Sequence, residues 1–273
     1  MTLYTQCARK YFYKKVAQYK VDSDVTEDTE AMMVGKCLHK IFEDHKHELA
    51  GLAYDTVKAA VAAHALEDEL TPMVFAMCGA YKQSHEKSGL KAVACEHVID
   101  TPEFYGIVDM VLADDSGWWI GDLKTAAAYN PAIVPTFARH PQLSMYAANA
   151  EVLASSLGLE LAKFKGIRYR CVTKSKLIRK SSESLEAYIA RLSKSVKSLD
   201  IAIPSLVLNP QDIVEVHKEI SKAVKSKDEA TYMRNHNSCF LYYRPCEFFS
   251  RCNGCNYSAF PKLEIHSSDS VDE

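Results

Sequence analysis

The chain has 273 residues, 48% hydrophobic and 25% charged, which suits one large α/β domain with a proper core. Its formal net charge of −2 does not mark a nucleic-acid binder, so any basic surface must be local. No stretch approaches the roughly 20 apolar residues that span a bilayer and no signal segment follows Met1, which predicts a cytoplasmic chain with no membrane association.

In chain order, residues 1–20 read as an aromatic, basic helix and 22–30 as an acidic loop. Residues 30–50 carry an apolar stripe of Met33, Val34, Cys37, Leu38, Ile41 and Phe42 at helical spacing. Two further helices are expected near 53–67 and 70–87. The texture then changes to strands at 91–99, 104–113 and 117–125, the last two joined by the turn-forming "ADDSG". A helix is expected after Pro141, a strand at 165–173, and helices over 182–200 and 210–226. The C-terminal "NSCFLYYRPCEFFSRCNGC" is too irregular and cysteine-dense for either. Helices, a three-stranded meander, a helix, a strand and helices again make an α/β core with a helical N-terminal extension. Lys and Arg cluster in the first twenty residues, at 163–180 and at 218–227, with interleaved aromatics, which raises a nucleic-acid reading without establishing it.

Within "GIVDMVLADDSGWWIGDLKTA" (106–126), two apolar strands each bury a charge. Strand alternation puts Ile120, Asp122 and Lys124 on one face, and the hairpin can bring Asp109 towards Asp122. Two close carboxylates repel unless a cation lies between them, and oxygen ligands of that kind suit Mg²⁺ or Mn²⁺. A lysine two residues away can hold a water or stabilise developing negative charge. A surface salt-bridge hairpin is the competing reading, but both aspartates lie in apolar strands rather than at the turn.

Gly106-x-x-Asp109, twelve intervening residues and Asp122-Leu-Lys124-Thr125 resemble the active-site hairpin of the PD-(D/E)XK nucleases, closest to their RecB-type branch. "GKCLHKIFE" resembles the upstream G-x-x-x-H-x-x-x-E helix, with Gly35, His39 and Glu43 on one helix face. "QLSMYA" resembles the Q-x-x-x-Y helix, carrying over Gln142 and Tyr146. Glu96 stands in the strand where related enzymes carry a glutamate near the metal. The resemblance implies a restriction-endonuclease-like core, a central mixed sheet flanked by helices. It implies metal held by His39, Asp109, Asp122 and the Leu123 carbonyl, with Lys124 catalytic and Gln142 and Tyr146 supporting it and contacting substrate. No G-x-S-x-G, H-E-x-x-H or Walker A sequence supports a competing chemistry.

Nine cysteines in an intracellular chain point to core thiols or metal ligands rather than disulfides. Cys37, Cys78, Cys95 and Cys171 lie in expected helices or strands and read as core. Cys7 lies in "QCARKYFYKK", which resembles the "C-P-R-K-F-Y-Y" opening of iron–sulfur RecB-type nucleases such as AddB and the CRISPR-associated exonucleases, with Ala8 in place of the proline. In that subset one N-terminal and three C-terminal cysteines hold a [4Fe–4S] cluster. The resemblance favours Cys7, Cys239, Cys246 and Cys252, with Cys255 the alternative to Cys239. Thiolates alone do not choose between iron–sulfur and zinc.

These readings lead to an expected single RecB-like nuclease domain over 1–262, stapled at the cysteines, and a disordered acidic tail over 263–273. The expected activity is a Mg²⁺- or Mn²⁺-dependent DNA exonuclease on single strands or duplex ends, in recombination, repair or phage and CRISPR DNA processing, in a bacterial or phage-infected cell. Protein partners and oligomeric state are left open. The alternative is a catalytically silent DNA-binding or assembly protein, against which the intact Asp109, Asp122 and Lys124 argue.

Overall fold

A computed structural model describes residues 7–19, 29–101, 104–128 and 140–208, and a discontinuous set between 210 and 252. The chain forms two compact units, one of Asp28–Lys218 and one of Met1–Glu27 with Glu219–Glu273.

The larger unit begins with α2 (Glu30–Asp44), following the short α1 (Ala8–Tyr11) of the other unit. Thr29 caps α2, its hydroxyl accepting from the Met32 amide at 3.2 Å, so one otherwise orphaned N–H is satisfied. The stripe Val34, Cys37, Leu38, Ile41 and Phe42 is buried, as its spacing predicts. Helices α3 (Tyr54–Ala63) and α4 (Thr71–Ser88) follow, with Pro72 in the first turn of α4 and Gly89 ending it in the left-handed conformation.

Strands β1 (Lys91–Asp100), β2 (Tyr105–Asp114) and β3 (Gly117–Ala126) form an antiparallel meander. Helices α5 (Pro141–Ala148) and α6 (Ala150–Leu157) cross over to β4 (Phe164–Thr173), which pairs parallel to β3. After α7 (Leu185–Ser195), β5 (Ser198–Pro204) closes the sheet antiparallel to β4, giving the order β1-β2-β3-β4-β5. The helix expected over 182–200 therefore stops at Ser195. Beyond it, "SLDIAIP" alternates and is rich in isoleucine, the pattern of a half-buried strand, and β4 offers it a free edge. The helix expected over 210–226 falls largely outside the described residues.

Two apolar layers cover the sheet. On one face, α2, α3, α4 and α7 pack against Met110, Leu112, Leu123 and Val172. On the other, α5 and α6 pack against Val108, Val111, Ile120 and Ile167. This is the mixed sheet flanked by helices of a restriction-endonuclease-like α/β fold. No helix among the described residues is long and apolar enough to cross a membrane.

In the smaller unit, α1 runs into a π-helical turn, Phe12–Val16, whose Phe12 and Tyr13 pack with Tyr232 and Phe248. Arg9 pairs with Glu229, and Tyr13 donates to the same carboxylate at 2.7 Å. Strands β6 (Phe240–Leu241) and β7 (Arg244–Pro245) make a two-stranded ribbon.

Candidate active site

The site forms where the sheet forks. Strands β2 and β3 pair from the Asp114/Gly117 turn only as far as Met110 and Gly121. Beyond that point β2 keeps β1 as its neighbour and β3 keeps β4. A Cβ on Gly121 would come within 2.2 Å of Met110 Cγ, so glycine lets the strands close up at the last pair before they part. Asp109 and Asp122 are the first residues past the fork. The Leu123 amide, which has lost its cross-strand carbonyl, instead donates to Asp109 Oδ2 at 2.6 Å. The Asp114 carboxylate accepts from the Ser116 and Gly117 amides, so Asp114 of "ADDSG" closes the turn.

Helix α2 brings the imidazole. A Cβ on Gly35 would lie 3.1 Å from Thr125 Oγ1, so the helix can sit close on β3. One turn later His39 Nε2 is 3.1 Å from the Leu123 carbonyl, to which that ring N–H donates. His39 Nδ1 then faces Asp109, 3.8 Å from Oδ1. Glu96 joins them from β1, opposite Asp109 between the pairs Cys95/Met110 and His97/Val108. It adopts φ +45°, uncommon for a residue other than glycine. One ligand atom from each of His39, Glu96 and Asp109 lies within 4.8 Å of the others, a group that can hold a metal ion. Glu96 is pushed up to about 6, by burial first and then by the neighbouring Asp109 and Glu43 charges. A cation relieves that repulsion.

Asp122 and Lys124 form a second, inner part of the site. The Asp122 carboxyl is buried, and Lys124 Nζ donates to its Oδ1 at 2.8 Å while Oδ2 has no hydrogen-bond partner among the described residues. Burial raises the Asp122 pKa against the opposing pull of Lys124, and the Asp109 charge adds to the rise. The sequence-derived metal ligands thus fall in two places. His39, Asp109 and Glu96 cluster, whereas Asp122 holds the lysine and the Leu123 carbonyl holds His39. Glu43 is tied to Lys40 at 3.0 Å and reaches the site only through its charge on Glu96.

Gln142 and Tyr146 are together. Gln142 donates to the Tyr146 hydroxyl at 2.9 Å, and that hydroxyl donates to the Ile107 carbonyl. Tyr146 is buried in the α5–α6 core, and burial raises its pKa. Its hydroxyl ties α5 to β2, two residues from Asp109.

His140, which sequence reasoning passed over, precedes α5 at the N-cap position. Its pKa is lowered by burial and then by the Lys124 charge, which favours the neutral imidazole. The available signal was its position two residues before Gln142.

In the smaller unit, Cys7, Cys239, Cys246 and Cys252 line one small cavity with Lys10 and Arg234. The Cys246 amide donates to the Cys239 carbonyl at 2.7 Å, fixing those two residues together. Burial, then the other three thiols, raises the Cys239 pKa. Cys255 lies outside the described residues. Cys37, Cys78 and Cys171 are buried and Cys95 half-buried.

A mixed sheet that forks over clustered carboxylates, an imidazole and a lysine defines a restriction-endonuclease-like α/β protein. A model of the PD-(D/E)XK nuclease superfamily matches residues 1–260, and the chain belongs to that superfamily. A solved structure titled "Crystal structure of SSO0001" is similar at 12% identity and a TM-score of 0.26, over 79% of this chain and 84% of that one. Comparison with curated proteins gave no significant match.

Proposed function

We propose that the chain is a Mg²⁺- or Mn²⁺-dependent exodeoxyribonuclease of the RecB-type branch. The carrying observation is the fork, past which His39, Glu96 and Asp109 cluster and Lys124 pairs with the buried Asp122 carboxylate. The donor set fits a hard or borderline divalent cation: two carboxylates, one imidazole and a neighbouring buried carboxylate with one oxygen unpaired among the described residues. His39, Glu96 and Asp109 would hold the ion, with Asp122 adjoining. When bound, it supplies Lewis-acid polarisation of a phosphate oxygen and lowers the pKa of a ligating water.

The protein's own groups do the rest. Asp109 fixes the backbone of β3 through the Leu123 amide, and His39 fixes the same residue through its carbonyl. Asp122 holds the Lys124 ammonium in place, ready to donate to an attacking water or to the negative oxygens of the transition state. Neutral His140 adds no competing charge.

Four thiols lining one cavity support a [4Fe–4S] cluster on Cys7, Cys239, Cys246 and Cys252. Anaerobic purification should give brown protein with iron and acid-labile sulfide. Colourless protein with stoichiometric zinc would overturn that assignment.

The activity is tested with oligonucleotides labelled at either end, single- and double-stranded, with Mg²⁺, Mn²⁺ or chelator. Metal-dependent shortening from an end, lost in Asp109→Ala and Asp122→Ala, is the expected result. Absence of cleavage with either metal on every substrate would refute the nuclease reading.

A further inference from the structure

The β1–β2 hairpin carries a patch that the cleavage chemistry does not use. Beyond the metal-ligand group, β2 exposes Tyr105 (66%) and Ile107 (38%), and β1 exposes Val98 (46%). Val98 and Ile107 are direct cross-strand partners, and Tyr105 lies opposite Asp100. His97 meets Ser156 on α6 at 2.9 Å, and Ile99 and Val108 enter the core beneath α5 and α6. By alternation Val98, Ile107 and Tyr105 face the other way, on the side of Asp109 and His39. They form one apolar strip that runs from the hairpin's far end to the metal ligands, Tyr105 standing four residues, or ~13 Å, from Asp109. Single exposed apolar residues are ordinary, but a contiguous strip ending at a reactive centre marks a binding surface.

The surrounding charge selects the occupant. At its far end Tyr105 lies opposite Asp100, whose charge repels phosphates, while the cation proposed at Glu96 and Asp109 draws the scissile phosphate to the near end. A strand crossing it must turn its phosphates away and its bases inward. Only an unpaired nucleotide can do this, because a duplex keeps its base faces stacked.

We propose that Tyr105 is a stacking platform for an unpaired DNA base next to the scissile phosphate, with Val98 and Ile107 packing against its sugar. This rests on the nuclease reading and gives it a substrate class, single-stranded DNA or a frayed end. Tyr105 acts on the strand's position and takes no part in the bond-breaking step.

The test compares wild type with Tyr105→Ala, Tyr105→Phe and Tyr105→Trp on single-stranded oligodeoxynucleotides, intact or with one abasic site placed in turn at each nucleotide around the cut. Tyr105→Ala should raise KM by ~5- to ~150-fold, the range of one base–aromatic stack, with a far smaller change in kcat. The Phe and Trp variants should retain the wild-type KM. At one position the abasic substitution should weaken wild type to the same extent and add nothing in Tyr105→Ala. Equal KM for wild type and Tyr105→Ala, in a preparation that cleaves, overturns the platform and leaves the nuclease reading intact. If wild type cleaves nothing, the nuclease reading falls. The platform is then decided by quenching of 2-aminopurine in bound single-stranded DNA with Ca²⁺. Quenching lost in Tyr105→Ala supports it, and quenching unchanged or never present refutes it.

Discussion

Tyr146→Phe separates two roles that one side chain can play at this site. The hydroxyl stands between two partners, donating to the Ile107 carbonyl and accepting from Gln142 Nε2. The ring is 4% exposed and keeps its packing in the variant, so the substitution removes the hydrogen bonds alone. Gln142 lies in a half-buried position where water can replace its partner, which leaves the Ile107 carbonyl as the main loss. An orphaned acceptor costs about 1–3 kcal/mol when buried, and this partly buried one should fall towards the lower end. In a unit of this size that is a fall in Tm of about 2–12 °C. Ile107 is two residues from Asp109 on the same strand, so slackening it moves a metal ligand. The expected kinetic signature is therefore a lower kcat at saturating metal and an unchanged KM for DNA. Thermal melting and steady-state cleavage of a labelled single strand measure both. A variant with wild-type Tm and a raised KM would refute this tie and make Tyr146 a substrate contact.

Further expectations concern the layers around the site. Asp200 is shared by Arg168, whose Nε is 3.0 Å from Oδ1, and by fully buried Arg170, 3.3 Å from Oδ2. Asp200→Ala removes the carboxylate from both guanidinium groups, leaving the buried Arg170 charge uncompensated beside Tyr81 and His85, and should cost about 3–5 kcal/mol, a Tm drop of about 6–20 °C; a drop under about 2 °C would contradict it. Gly35→Val forces a branched side chain against Thr125 and should cost about 1–3 kcal/mol by overpacking, with weaker Mn²⁺ binding as His39 moves off β3, read by calorimetry. His47 is lowered to about 3, chiefly by burial, with the Arg170 charge adding to the fall and the Asp109 backbone opposing it. A folded-state pKa below the unfolded value gives stability that is complete above about pH 6.5. It is lost on acidification, by about 1.4 kcal/mol per pH unit below that point. Denaturant titrations should show this slope in wild type and a shallower one in His47→Phe.

The elements that sequence made legible are those whose period is imposed by one buried face. The stripe of α2 and the meander of β1–β3 carry that signal, and so do the charges that interrupt it at Asp109, Asp122 and Lys124. What stayed hidden depends on tertiary geometry. The basic run at 163–180 reads as surface, yet Arg170 is fully buried beneath α4 and Arg168 stacks over Trp119 at 5.3 Å. Only the partner Asp200, on a strand that the helical reading of 182–200 concealed, shows why two arginines enter a core. In the first twenty residues, Arg9 pairs with Glu229, and Lys10 and Lys14 with Glu247. Those charges are spent on the fold of their own unit. Spacing brought Gln142 and Tyr146 to the right helix, but it carries no information about which way a hydroxyl turns.

The division of the site into an outer group and an inner pair has a kinetic consequence that Lys124→Met tests. Asp122 is buried, and its pKa rises above the ordinary carboxylate value because burial outweighs Lys124. Among the described residues Lys124 is the group that lowers it, by charge and by the 2.8 Å hydrogen bond. Removing the ammonium leaves burial and the Asp109 charge acting together, so the Asp122 pKa must rise further. If ionised Asp122 adjoins the ion, Mn²⁺ affinity falls as pH drops through that pKa. The falling limb should then lie at higher pH in Lys124→Met than in wild type. Calorimetric Mn²⁺ titrations across pH read this without cleavage, so loss of catalysis in the variant does not obscure it. The direct alternative is that the lysine competes with the cation for Asp122. In that case its removal would strengthen Mn²⁺ binding at every pH, or leave the limb where it was, and the proposed coupling of Asp122 to the metal through its charge would be wrong.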